Sequence, residues 1–370
     1  MSKASVMLAA GGTGGHLYPA FALAQELGRR EIPIDLVTDM RGDRYGANFP
    51  ARAVYRVPSA TLASRSPIAA GRTVWMLGRG IAASYSLLGT VKPGAVVGFG
   101  GYPAFPPILA ATLRGIPTAL HEQNAVLGRA NRLLSGRVTV IATSFENTKY
   151  LGGGALKRAR LTGNPVRDQV VDWATQSYRI PGPNGPYSLL VFGGSQGARF
   201  FADALPPALM LLPESIRGSL FVVQQCREED LARVERAYQA AGVRAHLATF
   251  FSNLPEEMAK AHLVIGRAGA STVAELTVMG RPAVLVPLPH AVDNDQLQNA
   301  IRLAESDGAW CIEQKDLTAE RLASVIGHLL QTPQALAEAA AAAKRLGQPD
   351  AVVRLADLVE ELIGSRPKSA

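Results

Sequence analysis

At 370 residues, 48% hydrophobic and 18% charged, the chain is too long for one ordinary core, suits two domains and is not a disordered protein. A formal net charge of +8 points to anionic partners such as phosphates or anionic lipid, while 6% aromatics and no long Lys/Arg run argue against nucleic acid. Cys226 and Cys311 lack CxxC spacing and the six histidines form no HExxH pattern, so the chain fits a reducing compartment, and no metal and no other cofactor is expected.

Apolar, β-rich runs alternate with helical patterns along the chain, as in a parallel-sheet α/β protein. The first unit is a strand over 5–10, the glycine loop AAGGTGGH, then a helix from about Tyr18 to Arg30. Strands follow at 34–38, 95–98, 118–121 and 139–142. The segment 94–113 carries no charge for about the length of a bilayer span. Its glycines and prolines break it into a buried strand, a loop and a helix start, so no transmembrane helix is expected. No signal peptide is visible either.

A second strand, Gly-Gly loop and helix begin at YSLLVFGGSQGARF, from Tyr187, and strands follow at 220–224, 262–266 and 283–287. Two such units imply two Rossmann-like domains facing each other. LTGNPVRDQV, residues 161–170, marks the boundary by its Gly-Asn-Pro turn. Near the end Val352, Leu355, Ala356, Val359, Leu362 and Ile363 recur at helical spacing, giving an amphipathic helix able to pack on either domain.

The candidate chemistry sits in the loops. Glycines at 11–15 let backbone N–H groups converge at a helix N-terminus, which suits an anion as well as a tight turn. Leu17 breaks the GxGxxG dinucleotide fingerprint, and no Gly-Lys-Ser/Thr follows for a P-loop. His16 is either a structural histidine or a general base, for which neutral imidazole is the useful form. GGSQGA at 193–198 repeats the loop with Ser195 added, and GRAGASTVAEL at 266–276 marks a helix start able to hold a diphosphate. Glu275 is a capping carboxylate or a ribose ligand. HEQN at 121–124 follows a buried strand, where Glu122 is a base or a buried carboxylate paired with an arginine. Around SRSPIAAGRTVWMLGRG, Ile68, Trp75 and Met76 alternate with Arg65, Arg72 and Arg79, which fits either an amphipathic core helix or a bilayer interface.

Taken in order, GGTGGH (11–16), GFGGY (98–102), HEQN (121–124), GNPVR (163–167), GGSQGA (193–198), GASTVAE (269–275) and the 290–300 segment resemble the MurG family. These are UDP-N-acetylglucosamine:lipid-linked N-acetylmuramyl-pentapeptide glucosaminyltransferases of peptidoglycan synthesis. The resemblance implies a GT-B fold: two Rossmann-like domains facing a cleft, with a C-terminal helix returning to the N-terminal domain. The expected limits are 1–164 for an acceptor and membrane-facing domain, 165–340 for a UDP-GlcNAc domain and 341–370 for the returning helix. It further implies donor contacts from Thr13, Gly14, Gly15, Asn124, Arg167, Ser195, Phe251, Ala270, Ser271, Thr272, Val273, Ala274, Glu275 and Gln296. Gly11, Gly12, Gly101 and Tyr102 are expected to face the acceptor pyrophosphate. Ile68, Arg72, Trp75 and Met76, with Arg137, would meet anionic lipid of the cytoplasmic leaflet, making the protein peripheral to that membrane. The implied reaction is an inverting displacement onto the muramyl 4-hydroxyl of an undecaprenyl-linked acceptor, with His16 as first and Glu122 as second choice of base.

Two positions depart from the family pattern: Ala104 replaces a frequent serine, and Asp295 replaces a frequent histidine. Other readings of the same loops are a GT-B enzyme acting on another lipid acceptor, a UDP-sugar epimerase, or a nucleotide-binding module without catalysis.

Overall fold

The computed structural model describes residues 4–11, 14–39, 49–60, 67–194 and 199–365, without the side chains of 67–69 and 292. Two compact units emerge, residues 1–167 with 349–370, and residues 168–348.

The first unit carries a seven-stranded sheet in the order β3-β2-β1-β4-β5-β6-β7. Its strands are β1 (Val6–Ala9), β2 (Ile34–Thr38), β3 (Ala53–Arg56), β4 (Ala95–Gly98), β5 (Thr118–Glu122), β6 (Val140–Thr143) and β7 (Ala159–Leu161). Every pairing is parallel. Such sheets are covered on both faces, and β1 is accordingly buried throughout. Alternation along that strand divides the core: Val6 and Leu8 join one apolar cluster, Met7 the other.

The second unit repeats the plan with six strands in the order β10-β9-β8-β11-β12-β13. These are β8 (Tyr187–Phe192), β9 (Leu220–Gln225), β10 (Arg244–Ala248), β11 (Leu263–Gly266), β12 (Ala283–Leu285) and β13 (Ala309–Cys311), again all parallel. Both sheets therefore have the doubly wound Rossmann order. The order in which successive strands are added to the sheet reverses between β1 and β4 in one unit, and between β8 and β11 in the other. Ligands of such sheets bind beyond the carboxyl ends of the strands at that reversal.

Three expectations shift. The first helix runs Gly14–Arg29, one turn earlier than the Tyr18 start, so two loop glycines are helical. A Cβ on Gly14 would stand 2.9 Å from the Tyr18 ring, which explains a glycine in a helix. The unit boundary falls after Arg167, which keeps GNPVR whole in the first unit. Residues 341–348 stay with the second unit, because Ala339, Ala340, Ala342 and Ala343 are buried there and Lys344 Nζ donates to the carbonyls of Ala174 and Val278.

The C-terminal helix Ala351–Gly364 packs on the first helix of the first unit. Leu355, Ala356, Leu358, Val359 and Leu362 complete the cluster formed by Ala20, Leu23, Ala24 and Leu27. At the rim Arg30 bonds Glu26, Asp357 and Glu360 at 2.6–2.8 Å.

Candidate active site

In the first unit the loops after β1 and β4 touch at the strand-order reversal. A Cβ on Gly11 would lie 2.9 Å from Thr38 Oγ1 and 3.0 Å from both Asp39 Oδ1 and Pro103 Cβ, so only glycine admits that approach. Gly100 and Gly101 have φ of +83° and +70°, a region favourable to glycine. They start the helix Gly101–Leu113 and lie flat against His16: a Cβ on Gly101 would sit 3.3 Å from His16 Nε2. No side chain caps this helix, which leaves its first N–H groups for an anion. Gly14, Gly15, His16, Gly101 and Tyr102 are thus brought together by two helix N-termini. Gly12 and Thr13 lie outside the described residues.

HEQN continues from the end of β5. Gln123 is buried and its Oε1 is 3.1 Å from His16 Nδ1. His121 is fully buried, with Nε2 at 2.9 Å from the carbonyl of Gly163. Burial pushes its pKa down to about 4, the Gly163 bond opposes this, and the nearby His16 adds to it.

Glu122 differs from expectation. It is buried, and its partners are amides: the N–H groups of Asn124 and Gly128, with Nδ2 of Asn124 and Asn131, all donate to it at 2.8–3.2 Å. Burial raises its pKa and those donors work against the rise. A carboxylate so engaged holds the 122–131 turn together. Asn124 serves the same turn. Arg167 is half-buried with its guanidinium 5.0 Å from the centre of the Tyr18 ring, still within the first unit.

The second unit has its own strand-end site. Helix Ala270–Met279 follows β11, and its cap, Gly269, offers no side chain to the first N–H groups. The Ser271 hydroxyl is buried without a partner among the described residues, and Glu275 is buried one turn on. After β12, His290, Asp293 and Asn294 all take positive φ before helix Asp295–Ala304 begins. Gln296 Oε1 accepts from Leu288 N–H at 3.0 Å, which leaves its Nε2 amine to a ligand. Phe251 is buried, with its ring edge-on to that of His246 at 5.4 Å. Ser195 lies outside the described residues.

Arg267 escaped the sequence reading. It is buried between Gly266 and Ala268 and donates to the carbonyls of Val286 and Pro287 at 3.1 Å and to Gln314 Oε1 at 2.6 Å. It ties together the loops that follow β11, β12 and β13, and burial pushes its pKa down to about 10. Its place inside GRAGAST was the available signal. Asn299, which pins the carbonyl of Ala268 at 3.1 Å, carried no such signal.

Both halves match known domains: the glycosyltransferase family 28 N-terminal domain over residues 6–143 and its C-terminal domain over 188–355. A UDP-N-acetylglucosamine–N-acetylmuramyl-(pentapeptide) pyrophosphoryl-undecaprenol N-acetylglucosamine transferase from Mesorhizobium japonicum is 48% identical over 371 aligned residues, covering 100% of this chain and 98% of the relative. The crystal structure of Acinetobacter baumannii MurG matches with a TM-score of 0.78 and 31% identity, covering 97% of this chain and 99% of that one. The chain belongs to the MurG family.

A UDP-GlcNAc 2-epimerase from Neisseria meningitidis, bound to UDP-GlcNAc, also superposes, with a TM-score of 0.66 and coverage of 98% of this chain and 100% of that one. At 14% identity that likeness is one of fold alone. Against other MurG proteins, Ala104 is a buried member of the apolar cluster beneath the GFGGY loop, so its side chain belongs to the core rather than to the ligand face. Asp295 stands at the first position of its helix, where its Oδ1 is 2.7 Å from the N–H of Gln296.

Proposed function

We infer that this MurG-family enzyme transfers GlcNAc from UDP-GlcNAc to the 4-hydroxyl of an undecaprenyl-diphospho-N-acetylmuramyl-pentapeptide. The observation that carries this is full-length identity of 48% to a transferase of that name. The ligand-type loops also fall at the strand-order reversal of each sheet.

In this reading the second unit takes the donor. The uncapped N–H groups and small side chains of Ala270, Ser271, Thr272, Val273 and Ala274 hold the diphosphate, and Glu275 accepts from ribose hydroxyls. Gln296 offers its amine to the sugar, Phe251 its backbone to uracil, and Arg167 and Ser195 approach the donor. The first unit takes the acceptor, with Gly11, Gly12, Gly101 and Tyr102 at its pyrophosphate and Thr13, Gly14, Gly15 and Asn124 toward the donor sugar.

His16 Nε2 removes the proton from the attacking hydroxyl as its oxygen bonds to the GlcNAc anomeric carbon. The bond from that carbon to UDP breaks, its electron pair leaves with UDP, and the configuration inverts. The helix N-terminus at Ala270 stabilises the negative charge that builds on the diphosphate.

The acceptor's lipid is met by the helix Pro67–Val91. There Val74 and Trp75 are 64% and 60% exposed, Arg72 is exposed, and the Arg79 guanidinium lies 4.8 Å from the Trp75 ring centre. Met76 is half-buried beside them and Arg137 is exposed elsewhere in the unit; the Ile68 side chain lies outside the described residues. An aromatic and apolar strip flanked by arginine suits an anionic bilayer interface, which makes the enzyme peripheral to the cytoplasmic leaflet. Among the described residues no helix is long and apolar enough to cross a membrane. Release of UDP from UDP-GlcNAc, followed with and without the muramyl lipid, tests the reading: release must depend on that lipid, and release independent of it refutes transfer.

A further inference from the structure

Gln123 lies 107 residues from His16 in sequence and makes the only hydrogen bond that His16 has among the described residues. Its amide has one workable orientation. Nε2 lies 3.0 Å from the carbonyl of Phe99 and 3.1 Å from that of His121, and carbonyl oxygens only accept. Turning the amide over would set Oε1 against both. The same Nε2 stands 2.9 Å from His121 Nδ1, which must therefore accept.

His121 confirms that assignment from its far side. Its Nε2 faces the carbonyl of Gly163 at 2.9 Å, so the proton of the neutral ring is on Nε2 and Nδ1 carries the lone pair. Burial keeps this ring neutral down to about pH 4. Three backbone carbonyls thus fix two side chains, and Gln123 Oε1 is left facing His16 Nδ1.

We propose that Gln123 is a positioning residue that holds His16 as its Nδ1–H tautomer, so that the lone pair stands on Nε2 at the Gly101 edge of the site. This deepens the assignment of His16 as base and rests on it. An oxygen that can only accept requires a donor opposite, so Nδ1 carries the proton in the neutral ring. Nε2 has no hydrogen-bond partner among the described residues, and the absence of a side chain at Gly101 keeps a Cβ from standing 3.3 Å from it. When Nε2 then takes the acceptor's proton, the Nδ1–H bond to Oε1 remains and keeps the imidazolium ring in place. A glutamine, unlike a carboxylate, selects the tautomer without adding a charge.

The test combines nitrogen-15 NMR of histidine-labelled protein with kinetics. In the unaltered enzyme the signals of the neutral His16 ring should show Nδ1 protonated and Nε2 bare; the reverse assignment overturns the proposal without any variant. Gln123→Met keeps the side-chain length and removes the acceptor. It should lose the tautomer preference and lower kcat roughly ten- to a hundredfold, with KM for UDP-GlcNAc within about twofold. A lost preference with unchanged kcat overturns the positioning role. His16→Ala separates the two ideas: unchanged kcat there removes His16 as base, whatever the tautomer spectra show.

Discussion

His16 stands at the first turn of a helix, against two glycines with positive φ, and bonded to a buried amide. Each of these constrains the ring, which is what a proton-transfer group needs if its lone pair is to meet one hydroxyl. His16→Ala should lower kcat by about 10²–10⁴-fold and change KM for UDP-GlcNAc little, as single-turnover and steady-state assays with the lipid acceptor will show. His121 makes a prediction about stability. The folded protein holds it neutral to about pH 4, whereas an unfolded histidine protonates near 6.5. Between those values the unfolded chain binds the extra proton, so stability rises with pH there and is lost as pH falls through the window. The full effect is about 3 kcal/mol. Urea titrations across that range should give a steep slope for the unaltered protein and a shallower one for His121→Asn, although the variant is less stable at every pH. The HEQN motif was legible as polar residues at a strand end. The pairing of Gln123 with His16 was not, because it depends on two loops that sequence keeps far apart.

The interior strands of each sheet were read nearly to the residue, since parallel strands covered on both faces are plain apolar runs bounded by glycine and proline, whereas the partly exposed edge strands β3, β7, β10 and β13 were not read at all. Helix starts were harder. Gly14 and Gly15 look like loop, and only the Tyr18 ring lying over Gly14 shows why glycine suits the helix there. The returning helix was legible as an amphipathic pattern, but its partner came only from the family resemblance, because an apolar stripe does not name the surface it covers. Its docking separates two forces. Leu355 is fully buried against the first helix, and Leu355→Ala should cost about 2–5 kcal/mol and lower the Tm seen by calorimetry. Arg30 bonds Asp357 and Glu360, whose side chains are 57% and 42% exposed, and Arg30→Ala should cost about 1 kcal/mol or less. A larger loss for Arg30 than for Leu355 would show that ion pairs, not burial, seat this helix.

At the scale of the molecule, two sheets of the same winding each present glycine-led helices at their reversal points, where the proposed function puts a lipid-linked pyrophosphate in one unit and a nucleoside diphosphate in the other. The repeated strand, Gly-Gly loop and helix made the two units legible, whereas Arg267 and Asn131 became visible only through burial. The proposed membrane contact rests on the strip around Trp75. Trp75→Ala and Arg72→Ala should each weaken sedimentation with vesicles rich in anionic phospholipid, by about fivefold for the arginine, and leave transfer to a short-chain soluble acceptor unchanged. Equal binding to neutral and anionic vesicles would remove the electrostatic part of that account. The central claim is tested most directly by supplying UDP-GlcNAc labelled in the sugar together with undecaprenyl-diphospho-N-acetylmuramyl-pentapeptide, and then recovering the lipid. The label should move to the lipid, one GlcNAc per muramyl residue, joined to the 4-hydroxyl with β configuration and matched by one UDP. An epimerised nucleotide sugar with an unlabelled lipid, or an α-linked product, would contradict it.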